Sequence, residues 1–100
     1  MRIEHSQPPG FDLVGERRRT AYKVDSSNHW LDESFTMKLR NHKKEAVEIR
    51  VVEHMSRWDN WEIKQKSNDF RSLDSHTVEF PVTINPDEEK IVTYLVHYTW

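Results

Sequence analysis

A chain of 100 residues holds one hydrophobic core and leaves no room for a second. Its 15 Lys and Arg against 17 Asp and Glu give a formal net charge of −2, without the basic excess that marks a nucleic-acid binder. Having no cysteine, it forms no disulfide, thiolate nucleophile or cysteine-ligated zinc site.

No apolar run approaches the ~20 residues that span a bilayer, so no transmembrane segment is expected. The opening Met1-Arg2-Ile3-Glu4-His5 has no apolar stretch behind it and does not read as a signal peptide. Any targeting sequence is expected upstream of this piece. Aromatic residues make up 11%, which argues against disorder even though charged residues reach 32%. Strands with one wet face reconcile the two figures.

Residues 1–10 end in Pro8-Pro9-Gly10 and read as a tail or linker. Phe11, Leu13 and Val14 suggest a short first strand that stops near Gly15. Arg17-Arg18-Arg19 follows, then a second strand over residues 20–25 with Tyr22 and Val24 on one face. Asp25-Ser26-Ser27-Asn28 is a turn cluster, and residues 29–34 suit a single helical turn or nothing regular.

Phe35, Met37 and Leu39 then alternate with Thr36, Lys38 and Arg40, and after a polar turn Val47, Ile49 and Val51 alternate with Glu48 and Arg50. Pairing Leu39 with Val47, Met37 with Ile49 and Phe35 with Val51 sets apolar against apolar at every step. The same parity suits two strands that face each other across a sandwich. The adjacent Val51 and Val52 break the alternation, as a β-bulge would.

Trp61, Ile63 and Gln65 alternate with Glu62, Lys64 and Lys66. Residues 67–76 read as a loop with Phe70 and Leu73 tucked onto the core. The clearest pattern comes last. Val78, Phe80, Val82 and Ile84 oppose Thr77, Glu79, Pro81 and Thr83, and Val92, Tyr94, Val96, Tyr98 and Trp100 repeat the alternation after a turn. Pro81 belongs at an edge or a bulge, because it has no N–H to give a central ladder.

The expected fold is therefore all-β, an immunoglobulin-like antiparallel β-sandwich of about seven strands, with a partly open barrel as the alternative. One sandwich domain is expected over residues 11–100. Parallel βαβ units are excluded, since no connection holds a crossover helix.

Three segments carry a family likeness: Lys38-Leu39-Arg40-Asn41-His42-Lys43-Lys44-Glu45, then Val47–His54, then residues 77–82 with 94–100. Together they resemble the C-terminal part of the bacterial domain-of-unknown-function family 4139, whose members include mucoidy inhibitor A-like proteins. The resemblance implies the terminal β-sandwich of a longer bacterial protein, in a periplasmic or envelope setting. It carries no catalytic residue over to this chain, and fold alone does not determine activity.

Trp58 and Trp61 flank Asp59-Asn60. Exposed on one side, the two rings would make a stacking platform for a sugar, with Asp59, Asn60 and Glu62 taking hydroxyls. The plainer expectation puts Trp61 in the core with Trp58 at its rim, and Trp100 in the core as well. Arg17, Arg18 and Arg19 would suit an anionic partner. On a strand, however, Arg17 and Arg19 face away from Arg18, and a charged edge strand that resists pairing explains them as well.

The six histidines His5, His29, His42, His54, His76 and His97 lack the local spacing of a zinc site. Asp74-Ser75-His76 holds the residue types of a hydrolase triad, but triad members converge from separate parts of a fold. With only Gly10 and Gly15, neither a nucleophile elbow nor a phosphate loop can form. No catalytic residue, metal or cofactor is expected.

The functional expectation is a non-enzymatic structural or protein-interaction module, with a carbohydrate-binding module based on Trp58 and Trp61 as the alternative. The expected partner is the upstream region of its own longer chain or another protein, and not nucleic acid.

Overall fold

The computed structural model describes residues 2–5 and 13–100. Eight strands follow in chain order: β1 (Arg2–His5), β2 (Leu13–Asp25), β3 (Trp30–Asn41), β4 (Val47–His54), β5 (Asn60–Lys66), β6 (Arg71–Asp74), β7 (Thr77–Ile84) and β8 (Glu89–Thr99). They form two four-stranded antiparallel sheets in the orders β1-β4-β7-β6 and β2-β3-β8-β5. The chain is an antiparallel β-sandwich, and no helix occurs among the described residues.

The alternating strands supply the core. Leu31, Phe35, Met37 and Leu39 of β3, with Val92, Tyr94, Val96 and Tyr98 of β8, bury one face of the second sheet. Val47, Ile49 and Val51 of β4, with Val78, Phe80, Val82 and Ile84 of β7, bury the facing side of the first. Each such side chain contributes about 1.5–3 kcal/mol when fully buried. Phe80 packs against Tyr94 across the sandwich with ring centroids 5.4 Å apart. β3 and β4 lie in different sheets, so the matched parity of Phe35, Met37 and Leu39 with Val47, Ile49 and Val51 is that of facing strands and not of a hairpin.

Several local expectations are corrected. Residues 2–5, expected in a tail, pair with β4, and Ile3 packs on the core. Phe11, Pro8, Pro9 and Gly10 lie outside the described residues. Gly15 does not end a strand; β2 runs unbroken in pairing from Leu13 to Asp25 apart from one bulge. Residues 30–34 are extended, because Leu31 and Glu33 continue the inward face that Phe35 carries on.

No bulge occurs at Val51 and Val52: β4 keeps a continuous register with both β1 and β7. Val52 faces outward between Arg2 and Glu79 and is fully buried there. The segment expected as a loop over 67–76 includes β6. Phe70 does pack on Phe80, at 5.9 Å, but Leu73 is the unpaired residue of a bulge against β7 and stays exposed.

Candidate functional site

Among the described residues, one corner of the sandwich is left without a covering strand: β1 pairs with β4 from Ile49 to Val52, although β4 continues to His54. On the other sheet the edge strand β2 is much longer. Its inward face therefore opens to solvent, with Tyr22 47% and Val24 46% exposed.

A bulge decides which residues share that face. Arg17 and Arg19 pair with the inward-facing Met37 and Phe35; Tyr22 and Val24 pair with the inward-facing Glu33 and Leu31. Odd and even positions come into phase because Thr20 is left unpaired between Arg19 and Ala21. Arg18 points to the opposite side, beside Glu16, Thr36 and Lys38. The arginine run is thus split between two faces, as strand geometry requires.

The open face borders a cleft of about 720 Å³. Phe35, Tyr94 and Tyr98 line it from the core, and Ser56, Arg57 and Trp58 from the connection between β4 and β5. Two buried carboxylates anchor its arginines. Glu33 accepts two bonds from Arg57, Nε to Oε1 at 2.9 Å and Nη2 to Oε2 at 2.8 Å. Arg19 Nη1 reaches the same Oε2 at a longer 3.4 Å. Glu53, on β4, accepts from Arg17 Nε at 2.9 Å and from the Tyr94 hydroxyl at 2.6 Å.

These pairings set the protonation of the cleft. Burial pushes the Glu33 carboxyl up, but the bonds and charge of Arg57, then of Arg19, outweigh it and hold the group below its ordinary value. Burial and the Glu53 charge push the Tyr94 phenol up, so it stays a donor. Burial, with Glu33 nearby, pushes Tyr98 up too. Burial weighs against the Arg17 charge, yet Glu53 overcomes it and raises that guanidinium further.

Aromatic rings hold the arginines in place. Arg17 lies 3.9 Å over Phe35, while Arg19 and Arg57 lie 4.7 and 5.5 Å from the Tyr22 ring. Among the described residues, three guanidiniums against the two carboxylates they bond leave a cationic surplus at the cleft.

The sugar platform, the alternative reading of Trp58 and Trp61, is not vacant. Trp58 stacks on Trp100 at 3.9 Å and meets Tyr98 edge-on, and both Trp58 and Trp61 pack against the core. The Trp61 indole donates to the Ser75 carbonyl at 2.9 Å. Asp59 is bonded to His76, Asn60 to Thr99 and Glu62 to Lys64. Trp100, expected in the core, is 41% exposed; its ring is stacked with His29 as well as Trp58 at the sandwich end.

A Ser–His–Asp chain does exist, with Asp59 in place of Asp74. Ser75 Oγ lies 2.9 Å from His76 Nδ1, and His76 Nε2 lies 2.7 Å from Asp59 Oδ1. The Asp59 side chain is 97% exposed, so nothing shields the relay from water, and a dry electrostatic site is what such chemistry needs. Asp74 instead accepts the His76 backbone N–H at 2.8 Å and caps the turn, which holds its carboxyl below the usual value. Among the described residues, no group of three or more His, Asp or Glu is arranged to hold a metal ion.

Strand parity finds Arg17 and Arg19 but not their partners. Glu33 and Glu53 did leave a trace: each occupies an apolar-parity position, next to Leu31 and Phe35 or next to Val51. A buried carboxylate at such a position needs a cation. Arg57 left none, since it sits in an irregular connection. Comparison of the chain with family models, with curated proteins and with solved structures finds no match.

Proposed function

We propose that this domain is a non-enzymatic β-sandwich module of a longer bacterial protein, and that it binds a protein segment in the arginine-lined cleft. The segment belongs to the remainder of its own chain or to another protein. One observation carries the reading: Tyr22 and Val24 stand half-exposed on the inward face of β2, where a sandwich normally buries apolar groups. The carbohydrate alternative is less favoured because the polar groups around Trp58 and Trp61 already bond to the protein.

Selection of a displayed library of short random peptides tests this. Peptides enriched on the wild-type domain are expected to lose binding to a Tyr22→Ser/Val24→Ser variant that still folds. Enrichment indifferent to those substitutions, or no enrichment, refutes the cleft as an interaction surface.

A further inference from the structure

We infer that the cleft takes an extended acidic peptide segment, whose carboxylate sits on Arg19 and whose apolar side chains cover Tyr22 and Val24. The inference rests on the interaction reading above and adds the chemistry of the partner.

The line of the contacts argues for an extended chain. Arg19, Tyr22 and Val24 lie along one face of a single strand. A partner in extended form repeats its side chains on one face every ~6.8 Å, the same step as β2.

Charge argues for a carboxylate. Arg57 is committed to Glu33 through two short bonds, and Arg17 to Glu53. Arg19 holds Glu33 only at 3.4 Å, and its side chain is 51% exposed. Of the three guanidiniums it is the least tightly held and the most exposed, and the Tyr22 ring at 4.7 Å already orients it. A carboxylate accepts such a fork through two parallel bonds.

The same charge count disfavours nucleic acid. Glu33 lines the cleft, Glu53 lies buried behind Arg17, and the whole chain is net negative at −2. A run of phosphates finds few cations there that are not already paired with a carboxylate, whereas a single carboxylate is matched.

The apolar half of the site sets the spacing. Arg19, Tyr22 and Val24 follow one another along the inward face once the bulge at Thr20 is counted. A partner strand presents alternate side chains to that face, so an acid followed at alternate positions by apolar residues is complementary.

The test uses three labelled peptides of about eight residues, long enough to run beside β2 from Arg17 to Val24. Each carries valines at alternate positions among serines, with one further alternate position occupied by glutamate, glutamine or lysine. Fluorescence anisotropy should show the glutamate peptide binding about tenfold more tightly than the glutamine one, and the lysine peptide weakest. Arg19→Ala, which leaves Glu33 with Arg57, should erase the preference while thermal unfolding stays unchanged.

Equal binding of the glutamate and glutamine peptides overturns the inference, as does a preference that survives Arg19→Ala. So does the absence of glutamate-peptide binding, or tighter binding of a short single-stranded oligonucleotide. If the random library yields peptides that need Tyr22 and Val24 but carry no acid, the interaction reading stands and the acidic assignment falls.

Discussion

The Tyr94 hydroxyl donates a 2.6 Å hydrogen bond to Oε1 of Glu53, and so ties β8 of one sheet to β4 of the other through the core. Both side chains are buried, at 3% and 1% exposure. Tyr94→Phe keeps the ring in place and removes only the donor. We expect a loss of about 2 kcal/mol in urea unfolding, the range for a bond to a charged group. A loss under about 0.5 kcal/mol would mean that the bond contributes nothing net.

Glu33 makes stability depend on acid. Its folded carboxyl lies below the ordinary value of 4.5, because Arg57 and Arg19 outweigh the cost of burial. The unfolded chain therefore takes up this proton first as pH falls. The contribution is complete above 4.5 and is lost as pH drops through the folded value. Exposed groups such as Asp25, Asp74 and Glu88 are also lowered, so the useful measure is a difference. The stability gap between wild type and Glu33→Gln should narrow from neutral pH into the acid range. A gap that stays constant would contradict the assignment.

The sandwich was legible wherever inward residues alternate without interruption. β7 meets that condition, as do β3 from Phe35, β4 as far as Val51 and β8 from Val92, and these stretches supply most of the core. Pro81 was informative too. β6 pairs with β7 only as far as Glu79, so among the described residues Pro81 stands where β7 has an open edge. Bulges were not legible, because one unpaired residue is a property of two strands and not of one. Thr20, Lys64 and Leu73 each shift a register in this way, whereas Val51-Val52, which breaks the pattern visibly, shifts none. The cleft stayed hidden for the same reason. Arg17 and Arg19 read as one odd-numbered pair and Tyr22 and Val24 as one even-numbered pair, on what looked like separate strands.

Trp58 and Trp61 provide a check on the carbohydrate alternative. Trp58 is stacked on Trp100, and the Trp61 N–H is bonded to Ser75. Titration with soluble cell-wall glycans should leave tryptophan emission unchanged, because both rings are already packed against the protein core. A saturable shift in emission that Trp58→Phe abolishes would favour the sugar reading over the cleft.

Thr20 has a role that deletion can isolate. Arg19 pairs with Phe35 and Ala21 with Ser34, so removing Thr20 joins two segments that are already in register. The ladder becomes regular, and Arg17, Arg19, Tyr22 and Val24 keep their shared face. The shortened domain should fold and should retain its preference for the glutamate peptide. It also loses the kink that keeps a long edge strand from pairing with a neighbour. β2 has no strand on its outer edge among the described residues, so a straight β2 is an open template. Light scattering should therefore show concentration-dependent self-association that the wild type lacks. If the deletion abolishes peptide preference while the fold survives, the bulge shapes the cleft itself and does more than keep two halves of a strand in phase.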